Sequence, residues 1–286
     1  MKLVTFLKNG VPTLGRVEGA ELVDLSAARV PQDMVGLLSA DAAVRATASA
    51  FSGPQMSLAD VELCAPILRP PKILAVGLNY RDHIEETGLE TPKVPLIFNK
   101  QSTAATGPNA PIHLPRVSDK LDYEGELGVV IGRRCRHVPR DRAHEVIAGY
   151  AVCNDVSVRD WQMRSQTFTM GKSFDTHSPF GPWITTSDDI PDPHALDLKT
   201  WVNDELRQNS NTRHLVFNCF DLVEHLSTAF TLEPGDLIVT GTPSGVGIGF
   251  DPKKFLSAGD RVRIEIEGLG AIENTVIAEP ASTTLI

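Results

Sequence analysis

Three acidic residues are the first candidates for chemistry in this chain. Glu124 and Glu126 stand two apart at the head of the apolar run Gly125 to Ile131. Residues two apart in a strand project to one face, so these carboxylates aim at one spot. Side by side at the start of a buried strand they repel each other, and protonation, a basic partner or a cation must offset that. A second apolar run, Gly149 to Asp155, ends in an acid, which makes Asp155 the natural third ligand. Three carboxylates without clustered histidine or cysteine form a hard, oxygen-only set that favours Mg2+, with Mn2+ or Ca2+ as alternatives. On an edge strand facing water the same Glu-x-Glu pair would hold nothing. Gly125 between them lets a ligand or another backbone come close.

A second constellation precedes it. His83 and Glu86, three apart in Asn79-Tyr80-Arg81-Asp82-His83-Ile84-Glu85-Glu86, share one face of a helical turn. A carboxylate on one imidazole nitrogen fixes the tautomer and raises the basicity of the other, which suits proton abstraction from water. The bland alternative is an exposed helix start with acids near its amino end. Lys172, in Gly171-Lys172-Ser173-Phe174-Asp175-Thr176, is a lone loop cation that either meets a substrate carboxylate or enolate or simply faces solvent. The glycine-rich run Gly241-Thr242-Pro243-Ser244-Gly245-Val246-Gly247-Ile248-Gly249 is followed by Phe250-Asp251-Pro252 rather than by a helix. It is therefore a poor dinucleotide fingerprint. A tight loop whose N–H groups and Thr242 hydroxyl approach a carboxylate fits it better.

The elements that position these groups are short. Residues 2–7 alternate and run into Lys8-Asn9-Gly10, a two-residue hairpin signal, with Thr13 to Val17 and Glu21 to Leu25 continuing the meander. One helix is expected over Met34 to Phe51, and a short strand over Leu63 to Ile67. Leu68-Arg69-Pro70-Pro71 makes a stiff joint and marks a boundary between residues 1–70, a small β-rich domain, and residues 71–286. Beyond it, strands are expected at Lys72 to Leu78, Pro95–Asn99, Gly125–Ile131, Gly149–Asp155, Trp183–Thr185, Asp197–Val202, Asp236–Thr240 and Arg261–Ile266. Helices are expected at Tyr80 to Thr87, Arg142–Ile147 and Cys219–Phe230. Many short strands with few helices argue against βαβ alternation and for an α+β, mainly β fold.

The 286 residues carry 27 basic and 36 acidic side chains, a formal net charge of −9, and 42% hydrophobic residues. That is enough to build a core of one or two domains. The acidic balance and lack of a basic stripe weigh against nucleic acid and anionic membranes as partners. An anionic substrate then needs a metal or a few placed cations. Cys64, Cys135, Cys153 and Cys219 have no paired spacing and read as reduced and buried. Met1-Lys2-Leu3-Val4-Thr5-Phe6 is too short for a leader, no run is long enough to span a bilayer, and the expected location is cytoplasmic.

Five segments in order resemble the fumarylacetoacetate hydrolase family, in its branch of acylpyruvases and 2-hydroxyhepta-2,4-diene-1,7-dioate isomerases. They are Asn79–Glu86, Asp-Tyr-Glu-Gly-Glu-Leu at Asp122–Leu127, Asn154–Gln162, Gly171–Thr176 and Gly241–Gly247. The resemblance implies a mixed β-sandwich roll with a small amino-terminal β-rich domain, a homodimer, and a divalent metal on Glu124, Glu126 and Asp155. It implies a His83–Glu86 catalytic dyad on a lid-like helix, Lys172 near the metal, and Thr242 on the substrate carboxylate. Arg164 and Gln166, in the stretch Trp161 to Phe168, are expected to meet a polar substrate tail. Leu78 stands before Asn-Tyr where some acylpyruvase-type members carry arginine, a departure that bears on substrate preference. The implied reaction is hydrolysis of the C3–C4 bond of an acylpyruvate or related 2,4-dioxo acid: the metal and Lys172 steady the enolate while His83 activates water. Withholding water from the same site would give an oxaloacetate-type decarboxylase or an isomerase of an unsaturated dioic acid, as in aromatic catabolism.

Overall fold

The computed structural model describes residues 1–284. The Gly125–Ile131 strand is buried at every position because both of its faces are covered. Leu127, Val129 and Ile131 enter one apolar core with Leu198, Ile264 and Ile272, while Val130 enters another with Leu37, Leu38 and Ile184. Such two-sided burial explains why its sequence reads as a near-continuous apolar run.

This strand lies within an eleven-stranded sheet. Its path runs Gln55–Ser57, Glu21–Asp24, Val11–Glu18, Lys2–Lys8, Ser178–Thr186, Ile147–Asn154, Gly125–Ile131, Leu237–Val239, Ile73–Gly77, Leu96–Lys100, with Ala105–Thr106 paired to Ser178–Thr186 off that path. A five-stranded sheet covers one face in the order Glu205–Asn211, Asp197–Val202, Arg261–Ile266, Gly270–Ala278, Ile112–Leu114. A third, two-stranded sheet joins Ser157–Val158 to Leu121–Asp122. The architecture is mixed α+β and mainly strand, with an amino-terminal β region.

The amino-terminal strands belong to the large sheet: Lys2 and Leu3 pair antiparallel with Thr185 and Ile184. The hairpin turns between Lys8 and Val11, where Asn9 and Gly10 form the expected two-residue loop. The helix expected over Met34 to Phe51 is two helices, Met34–Ser39 and Ala42–Ala50. Asp41 breaks it, because its side chain caps the second helix by accepting from the Val44 N–H. Leu63 to Ile67 forms no strand, only an isolated bridge from Leu63 to Phe6. Arg140–Glu145 is a 3-10 turn where an α-helix over Arg142–Ile147 was expected.

Candidate active site

The antiparallel register assembles the acids. Gly125 pairs with Asn154 and Glu126 with Cys153, and the Asp155 N–H donates to the Glu124 carbonyl at 2.9 Å. The head of one strand and the tail of its neighbour thus present Glu124, Glu126 and Asp155 together. All three are buried, with one ligand oxygen from each lying within 4.8 Å of the others. Gly125 faces the opposite way, into the five-stranded sheet. A Cβ there would sit 2.3 Å from Thr200 Oγ1, and its N–H donates to Gln208 Oε1 at 3.0 Å. The glycine therefore admits a neighbouring sheet rather than a ligand.

Three buried cations surround the acids. Lys172 Nζ donates to Glu124 at 2.6 Å and to Asp155 at 2.8 Å. Lys100 Nζ donates to the other Asp155 oxygen at 2.5 Å. Arg159 lies 2.7 Å from Glu124 through Nη1 and donates to Asp122 at 2.8 Å through Nε. Burial alone would raise the Glu124 pKa, but Lys172 and Arg159 outweigh it and hold this carboxyl at about 2. Glu126 is the exception. Among the described residues no basic side chain reaches it, and it accepts only the Gly241 N–H. Burial, then the charges of Asp155 and Glu124, push it well above the usual carboxylate range. One uncompensated carboxylate in a converging, oxygen-only set is what a hard divalent cation fits, and the three acids form a divalent metal site.

His83 and Glu86 lie on the helix Arg81–Thr87, which ends at Gly88 in the left-handed region. His83 Nδ1 donates to Glu86 Oε2 at 2.8 Å, leaving Nε2 as the acceptor. Glu86 Oε1 receives the Gly245 N–H at 2.8 Å, so the glycine-rich loop holds the pair. Asp82 of the same helix accepts from Ser210 at 2.8 Å. Leu78, just before it, adopts φ 52, a left-handed conformation that costs a non-glycine residue roughly 1 kcal/mol or more.

Lys172 closes a one-turn helix, Thr169–Lys172, packed against Arg159–Gln162. Gly171 makes this possible, since a Cβ there would lie 2.2 Å from the Gln162 backbone nitrogen. Thr242 is buried; its hydroxyl donates to the Gly125 carbonyl at 3.0 Å and accepts from Gln208 at 2.8 Å.

His83, Glu124, Glu126, Lys172 and Thr242 all line one cavity of about 220 Å3. Glu86 and Asp155 stand behind it, each bonded to a lining residue. Arg164 and Gln166 do not line it: Arg164 is largely exposed and stacks on Trp161, its centre 3.9 Å from the ring centroid. Four residues go unassigned by sequence reasoning. Arg159 and Gln162 lie inside a motif that carried the resemblance. Lys100 and Gln208 gave no local signal, because each reaches the site from a different strand.

Comparison with known proteins adds an independent line. Residues 72–277 match the family described as fumarylacetoacetate (FAA) hydrolase C-terminal. The oxaloacetate tautomerase fahd2, mitochondrial, of Xenopus laevis is 41% identical over 97% of this chain and 90% of its own length. The maleylpyruvate hydrolase of Sphingobium sp. SYK-6, solved with manganese(II) and pyruvate, is 35% identical with a TM-score of 0.83, covering 98% of this chain and 100% of that one. The 5-carboxymethyl-2-hydroxymuconate delta-isomerase of Mycobacterium smegmatis is 37% identical with a TM-score of 0.79 over the same shares. With the three-acid metal site at the junction of two strands, these likenesses identify the chain as a metal-dependent enzyme of the fumarylacetoacetate hydrolase family.

Proposed function

We propose that the protein is a Mg2+- or Mn2+-dependent hydrolase that cleaves the C3–C4 bond of an acylpyruvate or related 2,4-dioxo acid. The observation that carries this reading is the 2.8 Å His83–Glu86 pair opening onto the cavity that holds the metal-binding acids. A divalent ion held by Glu124, Glu126 and Asp155 would supply positive charge for the 2-oxo acid and for the enolate that develops from it. His83 Nε2 takes a proton from water, and Glu86 stabilises the resulting imidazolium. The hydroxide adds to the C4 carbonyl. The C3–C4 bond breaks with its electrons going to the pyruvate enolate, beside Lys172 and the unpartnered Arg159 Nη2. His83 returns its proton to C3, and a carboxylic acid and pyruvate leave. Loss of acetylpyruvate enol absorbance with matching pyruvate release, dependent on added Mg2+ or Mn2+, tests the reading. The absence of pyruvate would refute it.

The 41% identity to an oxaloacetate tautomerase supports a second reading, in which the same base moves a proton between C3 and the 2-oxo oxygen without water attack. Accelerated keto–enol exchange of oxaloacetate with no bond cleavage would favour it, and CO2 release would favour the decarboxylase.

A further inference from the structure

The cavity beyond the acids is walled by Leu78, Leu89, Phe98, Met163, Phe168 and Ile248. Phe168 meets Phe98 edge to face at 5.9 Å, which makes this part of the wall a packed apolar surface, while Leu89 and Met163 form its exposed rim. The basic groups that line the cavity are His83, Arg159 and Lys172, and each is committed. His83 bonds Glu86, Lys172 bridges Glu124 and Asp155, and Arg159 holds Asp122 and Glu124. The donors left over, Arg159 Nη2 and the third Lys172 N–H, belong to cations already seated on Glu124, at the metal end. Nearby cations stay outside. Arg164 stacks on Trp161, and Arg81 and Lys93 are exposed and do not line the cavity.

A carboxylate at the far end of a substrate would therefore exchange water for a mainly apolar wall with no cation to pair it and, among the lining side chains, only the Gln162 amide to donate to it, an unfavourable transfer. An alkyl group there would gain from the same wall. The cavity, about 220 Å3, is also below the roughly 300–1,000 Å3 typical of sites for drug-sized ligands. We propose that the substituent beyond C4 is a small, uncharged, apolar acyl chain. The substrate is then a monocarboxylic 2,4-dioxo acid rather than a dicarboxylic one. This deepens the functional reading above and rests on it for the placement of the 2-oxo acid end at the metal.

Binding tests the inference without requiring turnover. Titration calorimetry of the Mn2+-loaded protein compares 2-oxoheptanoate with 2-oxoheptanedioate, which differ only in a methyl against a carboxylate at the far end. The monoacid is expected to bind at least about tenfold more tightly. Equal or tighter binding of the diacid overturns the inference, as does failure of both to bind. Met163, largely exposed on the cavity wall, supplies the converse test. Met163→Lys should bring the two affinities together by strengthening the diacid, and an unchanged ratio counts against the proposal. Turnover is read separately, with 2,4-dioxoheptanoate against 2,4-dioxoheptanedioate. If neither is cleaved while the monoacid still binds preferentially, the hydrolase reading fails and the inference about the substituent stands.

Discussion

Glu86 and Gly245 are joined by a 2.8 Å bond in which the loop N–H donates to Oε1, while the other oxygen of the same carboxylate accepts from His83. One side chain thereby orients a base and ties its helix to the glycine-rich loop.

Separating these two jobs gives the first prediction. Glu86→Ala should lower kcat by roughly 100-fold or more, because His83 loses both its tautomer lock and its charge partner. Glu86→Gln can still accept from Gly245, but its amide no longer stabilises an imidazolium. We expect it to fold as well as wild type and to lose a comparable part of kcat. Steady-state kinetics with thermal melts distinguishes the two, and an active Glu86→Gln would refute the assignment.

Gly125→Ala should cost about 1–3 kcal/mol, since its methyl would meet Thr200 Oγ1 at 2.3 Å and push the strand carrying Glu124 and Glu126. Metal affinity should fall alongside stability. Thr200→Ala removes the obstructing oxygen, which itself has no partner, so the double variant should recover much of both losses. Urea melts and a Mn2+ titration check this.

Metal binding should release protons. Glu126 is pushed up by burial and by Asp155 and Glu124, so with no ion bound it retains a proton at pH values where an ordinary carboxylate has lost it. The cation must displace that proton, and Mn2+ affinity should therefore rise with pH. Calorimetry in two buffers of different ionisation enthalpy measures the release directly. Glu126→Gln should abolish the proton release and weaken Mn2+ binding.

The acid limb of stability should carry a signature of His177. This side chain is fully buried, and its Nε2 donates to the His113 carbonyl at 2.8 Å. Burial holds its pKa down at about 3 against 6.5 when free. Between those values the unfolded chain binds the proton and the folded chain does not. The contribution is thus intact above pH 6.5 and is lost as pH falls toward 3, at about 1.4 kcal/mol per pH unit. His177→Phe leaves the His113 carbonyl unpaired and should lower stability near pH 7, yet its deficit relative to wild type should shrink as the solution is acidified. Denaturant midpoints from pH 7 to 4 report it.

The acids of the site were legible in the sequence because their chemistry and their strand period coincide: Glu-x-Glu at a strand head faces one way whatever lies around it. His83 with Glu86 was legible for the matching helical reason. Lys100 and Gln208 were not, since a buried lysine or glutamine is recognised only by what stands opposite it: Lys100 meets Asp155 through the strand order of the large sheet, and Gln208 crosses from the five-stranded one. Arg164 looked suited to a polar substrate tail, but the turn after Arg159–Gln162 carries it outward onto Trp161. In the fold, the strand Ser178–Thr186 read as only Trp183–Thr185 because Pro179, Gly181 and Pro182 mask its start. Glu205–Asn211 was missed because its polar residues conceal strand period; Gln208 and Asn211 point inward to make hydrogen bonds rather than apolar contacts.

The pairing of residue 2 with residue 185 has a consequence for synthesis. The hairpin of Lys2–Lys8 leaves the ribosome well before Ser178–Thr186 and must wait for that neighbour while about 170 further residues are translated. The strands that carry the three acids, which pair between residues 125 and 154, can zip together well before that. Until Ser178–Thr186 arrives, the outer edge of the strand Lys2–Lys8 is without its neighbour, so any chaperone that attends the nascent chain should engage that hairpin.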